Sequence, residues 1–235
     1  MTNLIKLEGI IINKKDIGDF DRIITMFTGS FGKIQILIKG IRKSKKRDKL
    51  GSDVLSFSRT VVYKKDNSFV GSTVESVKSY ENIRRDMKKI GIVLYMFHVL
   101  NNILSDSERK TVLYDLTLKS LDYIEREENI SNCVLLMIYY LNKIISEEGI
   151  KYTMVGGKNF SIKNSLISEK FESGDIKLSQ EEYRIIEGVY FSKIKELLQE
   201  NADIHDLYSV LGICERYLNY HLDLYLDFKN YILEA

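Results

Sequence analysis

The chain has 235 residues, 44% of them apolar and 29% charged, with 35 Lys and Arg against 33 Asp and Glu, a formal net charge of +2. That balance suits a soluble globular protein of one large or two modest domains and excludes a disordered or collagen-like chain. Two cysteines, Cys133 and Cys214, 81 positions apart in apolar helical patterns, read as reduced interior residues and exclude a disulfide scaffold. The N-terminus lacks the apolar stretch of a signal peptide. The most apolar run, Cys133–Leu141, is too short to span a bilayer, which takes about 20 residues, so a cytoplasmic protein with no membrane partner is expected.

The charge is unevenly spread. Residues 1–80 carry 16 Lys and Arg against 8 Asp and Glu, a surplus of +8, whereas the rest carries 19 against 25, a deficit of −6. A basic front and an acidic back point to different partners for the two parts.

In chain order, period-two alternation predicts strands at Glu8–Lys14, Arg22–Thr28 and Lys33–Lys39, the last with Ile34, Ile36 and Ile38 on one face. Gly29-Ser30-Phe31-Gly32 reads as a hairpin turn. Ser58–Lys65 and Ser68–Val77 form a further hairpin about Asp66-Asn67. Five short strands in about 80 residues fit a small barrel of the OB type. Beyond Tyr80 the period turns helical: Ile83, Met87, Ile90, Leu94, Phe97 and Leu100–Ile103 make one stripe. Ser105-Asp106-Ser107-Glu108 has the form of a capping box before a helix to about Glu127. Asn132–Glu148 is apolar nearly all round, and residues 149–178 break the pattern with glycines. Ser179-Gln180-Glu181-Glu182 is a second capping box, opening a helix to about Glu200. A last helix is expected from about Asp203 to Phe228, with Leu207, Leu211, Cys214, Leu218, His221 and Tyr225 on its stripe. The expectation is an α+β protein: a five-stranded OB-type barrel over 1–79, then an α-helical domain over 80–235.

Between the third and fourth strands lies the densest charge. Lys39, Arg42, Lys43, Lys45, Lys46, Arg47 and Lys49 place seven cations in eleven residues. Such a loop is expected to face solvent or a polyanion. Phosphate backbones fit, because each phosphate neutralised releases condensed counterions; a solvated charge run is the plain alternative. Lys33, Arg22, Arg59, Lys64 and Lys65 add cations on neighbouring strands, and Phe31, Tyr63 and Phe69 are candidate stacking surfaces for bases. Enzymatic signals are missing. Gly29-Ser30-Phe31-Gly32-Lys33 has two residues between its glycines where a phosphate loop needs four. Glu8, Asp16, Asp19 and Asp21 read as turn and capping residues, and His98, His205 and His221 are too scattered for a metal site.

Glu8–Ile12, Gly18–Thr28, Phe31-Gly32-Lys33 and Lys39-Gly40-Ile41-Arg42-Lys43-Ser44-Lys45 together resemble the opening of the RecO recombination mediators, and Arg216–Leu222 is similar to their closing helix. The resemblance implies an OB-fold joined to a helical domain, binding single- and double-stranded DNA. It implies annealing of complementary strands and help in loading the RecA recombinase onto strands covered by single-stranded-DNA-binding protein (SSB), with RecR and the acidic SSB C-terminal tail as partners. A nucleoid-associated place in the cytoplasm goes with that role. No catalytic residue and no cofactor are implied. The DNA contacts carried over are Lys39, Arg42, Lys43 and Lys45; Lys33, Lys46, Arg47 and Lys49 join them on charge and position. Many such proteins hold zinc through Cys-x-x-Cys pairs in the segment matching 149–178. Here that segment has no cysteine, so a non-zinc insertion is expected. A usual proline is Ser56 here, and the closing helix carries Asp223 and Asp227. Two other classes stay open, an interaction adaptor and an OB-fold RNA-binding factor.

Overall fold

In the computed structural model, which describes residues 4–65 and 68–231, two compact units divide the chain between Glu125 and Arg126. The first contains five strands, β1 (Leu4–Ile17), β2 (Asp21–Thr28), β3 (Gly32–Ile38), β4 (Phe57–Lys65) and β5 (Ser68–Lys78), closed into a barrel in the order β1-β2-β3-β5-β4. All neighbouring pairs are antiparallel except β3–β5, which is parallel. Five strands closed in this way form the OB-type barrel that the alternation predicted. Ile34, Ile36 and Ile38 are fully buried with Leu7, Ile11, Ile24, Met26, Val62 and Val74 in one core. The Asp66-Asn67 turn lies outside the described residues.

A strand this strongly coiled needs room at its bend. A Cβ on Gly9 would stand 2.3 Å from the Phe27 carbonyl oxygen across the β1–β2 ladder, so glycine is required there by close backbone approach.

The helices of the first unit depart from the expected stripe. Asp86 caps a new helix by accepting from the amides of Lys88 and Lys89, which separates a one-turn α1 (Glu81–Arg85) from α2 (Met87–Ile103). The restart rotates the apolar face, so Met87 and Leu94 point outward while Ile92, Val93, Met96, Phe97, Val99 and Leu100 are buried. Ser105–Glu108 does not cap α3 (Thr111–Arg126). It runs beside the barrel instead, with Lys33 and Asp106 bridged in parallel and the Ser107 amide donating to the Lys33 carbonyl at 2.8 Å. Pairing with β3 satisfies backbone groups that a cap would have used locally.

The second unit holds α4 (Ile130–Glu147), α5 (Gln180–Tyr190), α6 (Ile194–Leu197) and α7 (Ile204–Leu222). As expected, α4 is buried along most of its length and Ser179 and Glu182 form a reciprocal capping box on α5. That helix stops ten residues early, at Tyr190, because Ser192 is left-handed (φ 59°) and the Lys193 amide turns back to the Gly188 carbonyl. Asp223, also left-handed (φ 51°), likewise ends α7, which leaves Tyr225 outside the helix and 89% exposed rather than on its stripe.

Residues 149–178 carry four short strands, β6 (Thr153–Met154), β7 (Asn159–Ser161), β8 (Leu166–Ser168) and β9 (Ile176–Lys177), in the order β6-β8-β7-β9. An aromatic cluster centred on Tyr152 supports the sheet. Its ring lies 5.0 Å from Phe160, 5.4 Å from Tyr190 and 5.6 Å from Tyr217, and its hydroxyl donates to Asn142 Oδ1 at 3.1 Å. Such pairs each add about 0.5–1.5 kcal/mol beyond their burial. Among the described residues no group of three or more His, Cys, Asp or Glu is placed to hold a metal ion. No helix among them is long and apolar enough to cross a membrane.

Both cysteines are buried, and burial pushes the Cys214 thiol up to about 12. Thiolate is the reactive form. A thiol reagent at pH 8 is therefore expected to label neither cysteine in the native protein and both in denaturant; native labelling of either one would contradict the packing.

Candidate nucleic-acid interface

The connection between β3 and β4 has two halves of different character. From Asp48 onward it is packed: Gly51, Ser52, Leu55 and Ser56 are buried. The Asp48 carboxylate accepts from the Gly51 and Ser76 amides at 3.1 and 2.7 Å, and Ser56 Oγ donates to the Leu50 carbonyl at 2.7 Å. Ser56 also accepts from Arg84 at 3.1 Å, a role a proline at this position could not fill.

The first half, Lys39–Arg47, stands out from the barrel and is anchored at several points. Ile41 is buried in the barrel core. Asp21 accepts from the Gly40 amide at 2.8 Å, and the Arg42 amide donates to the Phe20 carbonyl at 3.0 Å, which joins the loop to the β1–β2 tip. Arg42 reaches the Gly18 carbonyl at 2.5 Å and Asp16 at 3.2 Å. Arg47 donates to the Lys39 carbonyl at 2.5 Å and the Ser72 carbonyl at 3.1 Å. Arg42 is exposed and Arg47 half-buried, and both, each a planar fork with several donors, serve as braces.

Lys39, Lys43, Lys45, Lys46 and Lys49 are exposed. Lys43 Nζ sits 3.9 Å above the Phe20 ring, a cation–π contact worth about 0.5–1 kcal/mol at an exposed site. Lys33 is placed elsewhere. Its side chain is 14% exposed, donates to the Asn101 carbonyl at 3.1 Å and lies 3.8 Å from Asp106, so it joins β3 to the end of α2. Arg59 pairs with Glu8 at 2.7 Å on the β1–β4 ladder.

Asp16 is the hub of the anchor. Arg22 Nε donates to it at 2.7 Å while Arg22 also reaches buried Ser52, and Asp16 and Arg22 line a groove of about 490 Å³ with Arg42, Lys49 and Leu50. The Arg22 hydrogen bond, with Arg42 and Lys14 nearby, holds the Asp16 carboxyl below its ordinary 3.8. A depressed folded-state value means the ionised carboxylate stabilises the fold above about pH 4, and that contribution disappears as pH falls through the lowered value. Asp16→Asn is expected to lose less stability than the native chain between pH 5 and pH 3. Equal losses in urea unfolding at the two pH values would remove Asp16 from this role.

Two of the three candidate stacking rings, Phe31 and Phe69, are placed away from the loop and pack edge to face at 6.1 Å against the barrel core. The aromatic ring beside the cations is Phe20, 41% exposed at the β1–β2 tip. Sequence reasoning passed over it because a single Phe in a turn has no periodic signal.

The sequence model described as "Recombination protein O N terminal" matches residues 1–80. Proteins named DNA repair protein RecO are similar over about half of the chain. The one from Caldanaerobacter subterraneus is 32% identical over 121 residues, 52% of this chain and 49% of its own. The one from Acetivibrio thermocellus is 30% identical over 119 residues, 51% and 47% of the two chains. The one from Mycoplasma mycoides is 32% identical over 106 residues, 44% and 41%. The matched stretch thus spans about half the length of these curated relatives. A solved asparaginyl-tRNA synthetase from Pyrococcus horikoshii overlays 99% of this chain and 59% of its own at a TM-score of 0.30 and 13% identity, too low a likeness to carry an argument.

Proposed function

We infer that this chain, whose residues 1–80 match the sequence model described as "Recombination protein O N terminal", is a DNA-binding mediator of recombinational repair. One observation carries the inference: five exposed lysines, Lys39, Lys43, Lys45, Lys46 and Lys49, are displayed on a braced loop at one end of an OB-type barrel. In such barrels the β2–β3 face and the β1–β2 and β4–β5 loops are the surfaces used for oligonucleotides, and the basic loop is tied to the β1–β2 tip. DNA binding is assigned to residues 1–79. Residues 80–235 are assigned to contacts with proteins, RecR and the acidic SSB tail among them.

The mechanism is stoichiometric. Lysines that engage two phosphate backbones at once cancel part of their mutual repulsion, and pairing of complementary strands is then downhill without nucleotide hydrolysis. Assistance to RecA on SSB-covered strands follows from the same property, since a bound mediator competes for the strand. Because phosphate contacts hold the duplex or strand without reading bases, sequence preference is slight. Residues 39–49 act as a unit: Arg42 and Arg47 set its shape and the lysines meet the phosphates. Lys33, already committed to Asn101 and Asp106, is left out of the contact set.

The test is fluorescence anisotropy with a labelled single-stranded oligonucleotide over a salt series, followed by annealing of complementary strands without ATP. Five phosphate contacts give a slope of log affinity on log salt of about −3.5 for single strands. Flat, weak binding would return the loop to a solvated charge run and leave an adaptor; a strong preference for RNA of matched sequence would favour an RNA-binding factor.

A further inference from the structure

We propose that Phe20 is a base-stacking platform that makes this barrel select single-stranded over duplex nucleic acid. The proposal rests on the nucleic-acid function argued above and adds to it the residue that would tell the two forms apart.

Phe20 occupies the β1–β2 tip, Gly18–Phe20, where Gly18 takes a left-handed conformation (φ 53°). Its ring stands 41% exposed. Its position is nonetheless held. The Phe20 carbonyl accepts from the Arg42 amide at 3.0 Å, and Arg42 grips the Gly18 carbonyl at 2.5 Å, so both sides of the tip are tied to the basic loop. Asp21, the next residue, accepts from the Gly40 amide at 2.8 Å. A ring presented on a braced backbone loses little freedom when a base lands on it.

The occupant of the ring face points the same way. Lys43 Nζ stands 3.9 Å over the ring, on a surface where an unpaired base could lie flat. Stacking a base on an aromatic side chain outweighs an exposed cation–π contact. A base can therefore displace the ammonium, and the displaced Lys43 remains within the same loop as Lys45 and Lys46, free to meet a phosphate of the incoming strand. Duplex DNA offers no such face, because its bases are stacked on one another and only its phosphates are available. The lysines then bind both forms, and Phe20 adds affinity for one.

The experiment uses the full chain and unlabelled oligothymidylate against a hairpin duplex. The chain contains no tryptophan, so Phe20→Trp introduces a single indole at the proposed platform. Its emission is expected to be quenched by oligothymidylate and to stay unchanged with the duplex at matched saturation. Phe20→Ala is expected to weaken single-strand binding by about five- to a hundredfold, the range of one base stack, with duplex binding the same as in the native chain. Equal losses on both forms, no loss on either, or quenching by duplex as strong as by single strand would each overturn the proposal. Loss of binding in the lysine variants with Phe20→Ala unaffected would remove the platform and leave the phosphate-binding loop standing. A native chain that binds neither form would take down the loop and the platform together.

Discussion

Reversing Lys43, Lys45 and Lys46 to glutamate together lowers affinity for single-stranded DNA by about 100-fold or more at 0.1 M salt, alike for all sequences. Each phosphate neutralised on a single strand releases about 0.7 of a counterion, which at that salt concentration is worth about 1 kcal/mol. Three lost contacts give about 3 kcal/mol, and like-charge repulsion adds to it. The salt slope should fall from about −3.5 to about −1.4 as five contacts become two. These three residues make the cleaner test than Arg42 with Lys43. Arg42 braces Gly18 and Asp16, so its reversal would disturb the loop as well as the charge. Anisotropy with two unrelated oligonucleotides checks it. A loss confined to one of them would mean base readout, and an unchanged slope would mean that the lysines do not meet phosphates.

Replacing Gly32 by alanine is the most destabilising single change expected in the first unit. Gly32 is left-handed (φ 65°), and a Cβ there would stand 1.9 Å from the Glu108 carbonyl oxygen and 2.6 Å from its carbon. Those are backbone atoms and they cannot swing aside. The segment is pinned by the Ser107 amide on the Lys33 carbonyl at 2.8 Å and by Lys33 on the Asn101 carbonyl at 3.1 Å. Either the β3 edge or the 105–108 segment must detach. Together with the left-handed penalty of about 1–2 kcal/mol, the cost should reach about 3–5 kcal/mol, at the diagnostic end for one substitution. Gly40 provides the control. It is equally left-handed (φ 66°) but has nothing within 4 Å of its Cβ position, so Gly40→Ala should cost only the conformational term. Urea unfolding of the two variants separates the effects, and similar losses would show that the approach of Glu108 is not what Gly32 serves.

The barrel was legible because its signals are local. Ile34, Ile36 and Ile38 alternate with Lys33, Gln35 and Leu37, and that period alone places one face in a core. The α5 capping box was legible for the same reason, since Ser179 and Glu182 satisfy each other's backbone within one turn. The same motif at Ser105–Glu108 failed, because β3 offered its backbone a competing set of partners. The helix ends at Tyr190 and Leu222 failed too: Ser192 and Asp223 take left-handed conformations that neither residue type announces. Nor could the four short strands in 149–178 be read, as two- and three-residue strands are too brief to show a period.

The sequence by itself determined that a five-stranded barrel comes first, that helices follow, and that seven cations cluster between the third and fourth strands. Only the tertiary structure decided what each cation does. Composition shows charge but not geometry, and a guanidinium within reach of a carbonyl becomes a brace, whereas an ammonium with solvent around it stays available to a ligand. Arg42 and Arg47 fell to the first role, Lys33 was drawn to Asn101 and Asp106, and the remaining lysines were left exposed, Lys43 among them over Phe20. That partition depends on which backbone groups lie opposite, across 24, 25 and 68 positions of chain, separations at which a linear pattern carries no information about contact.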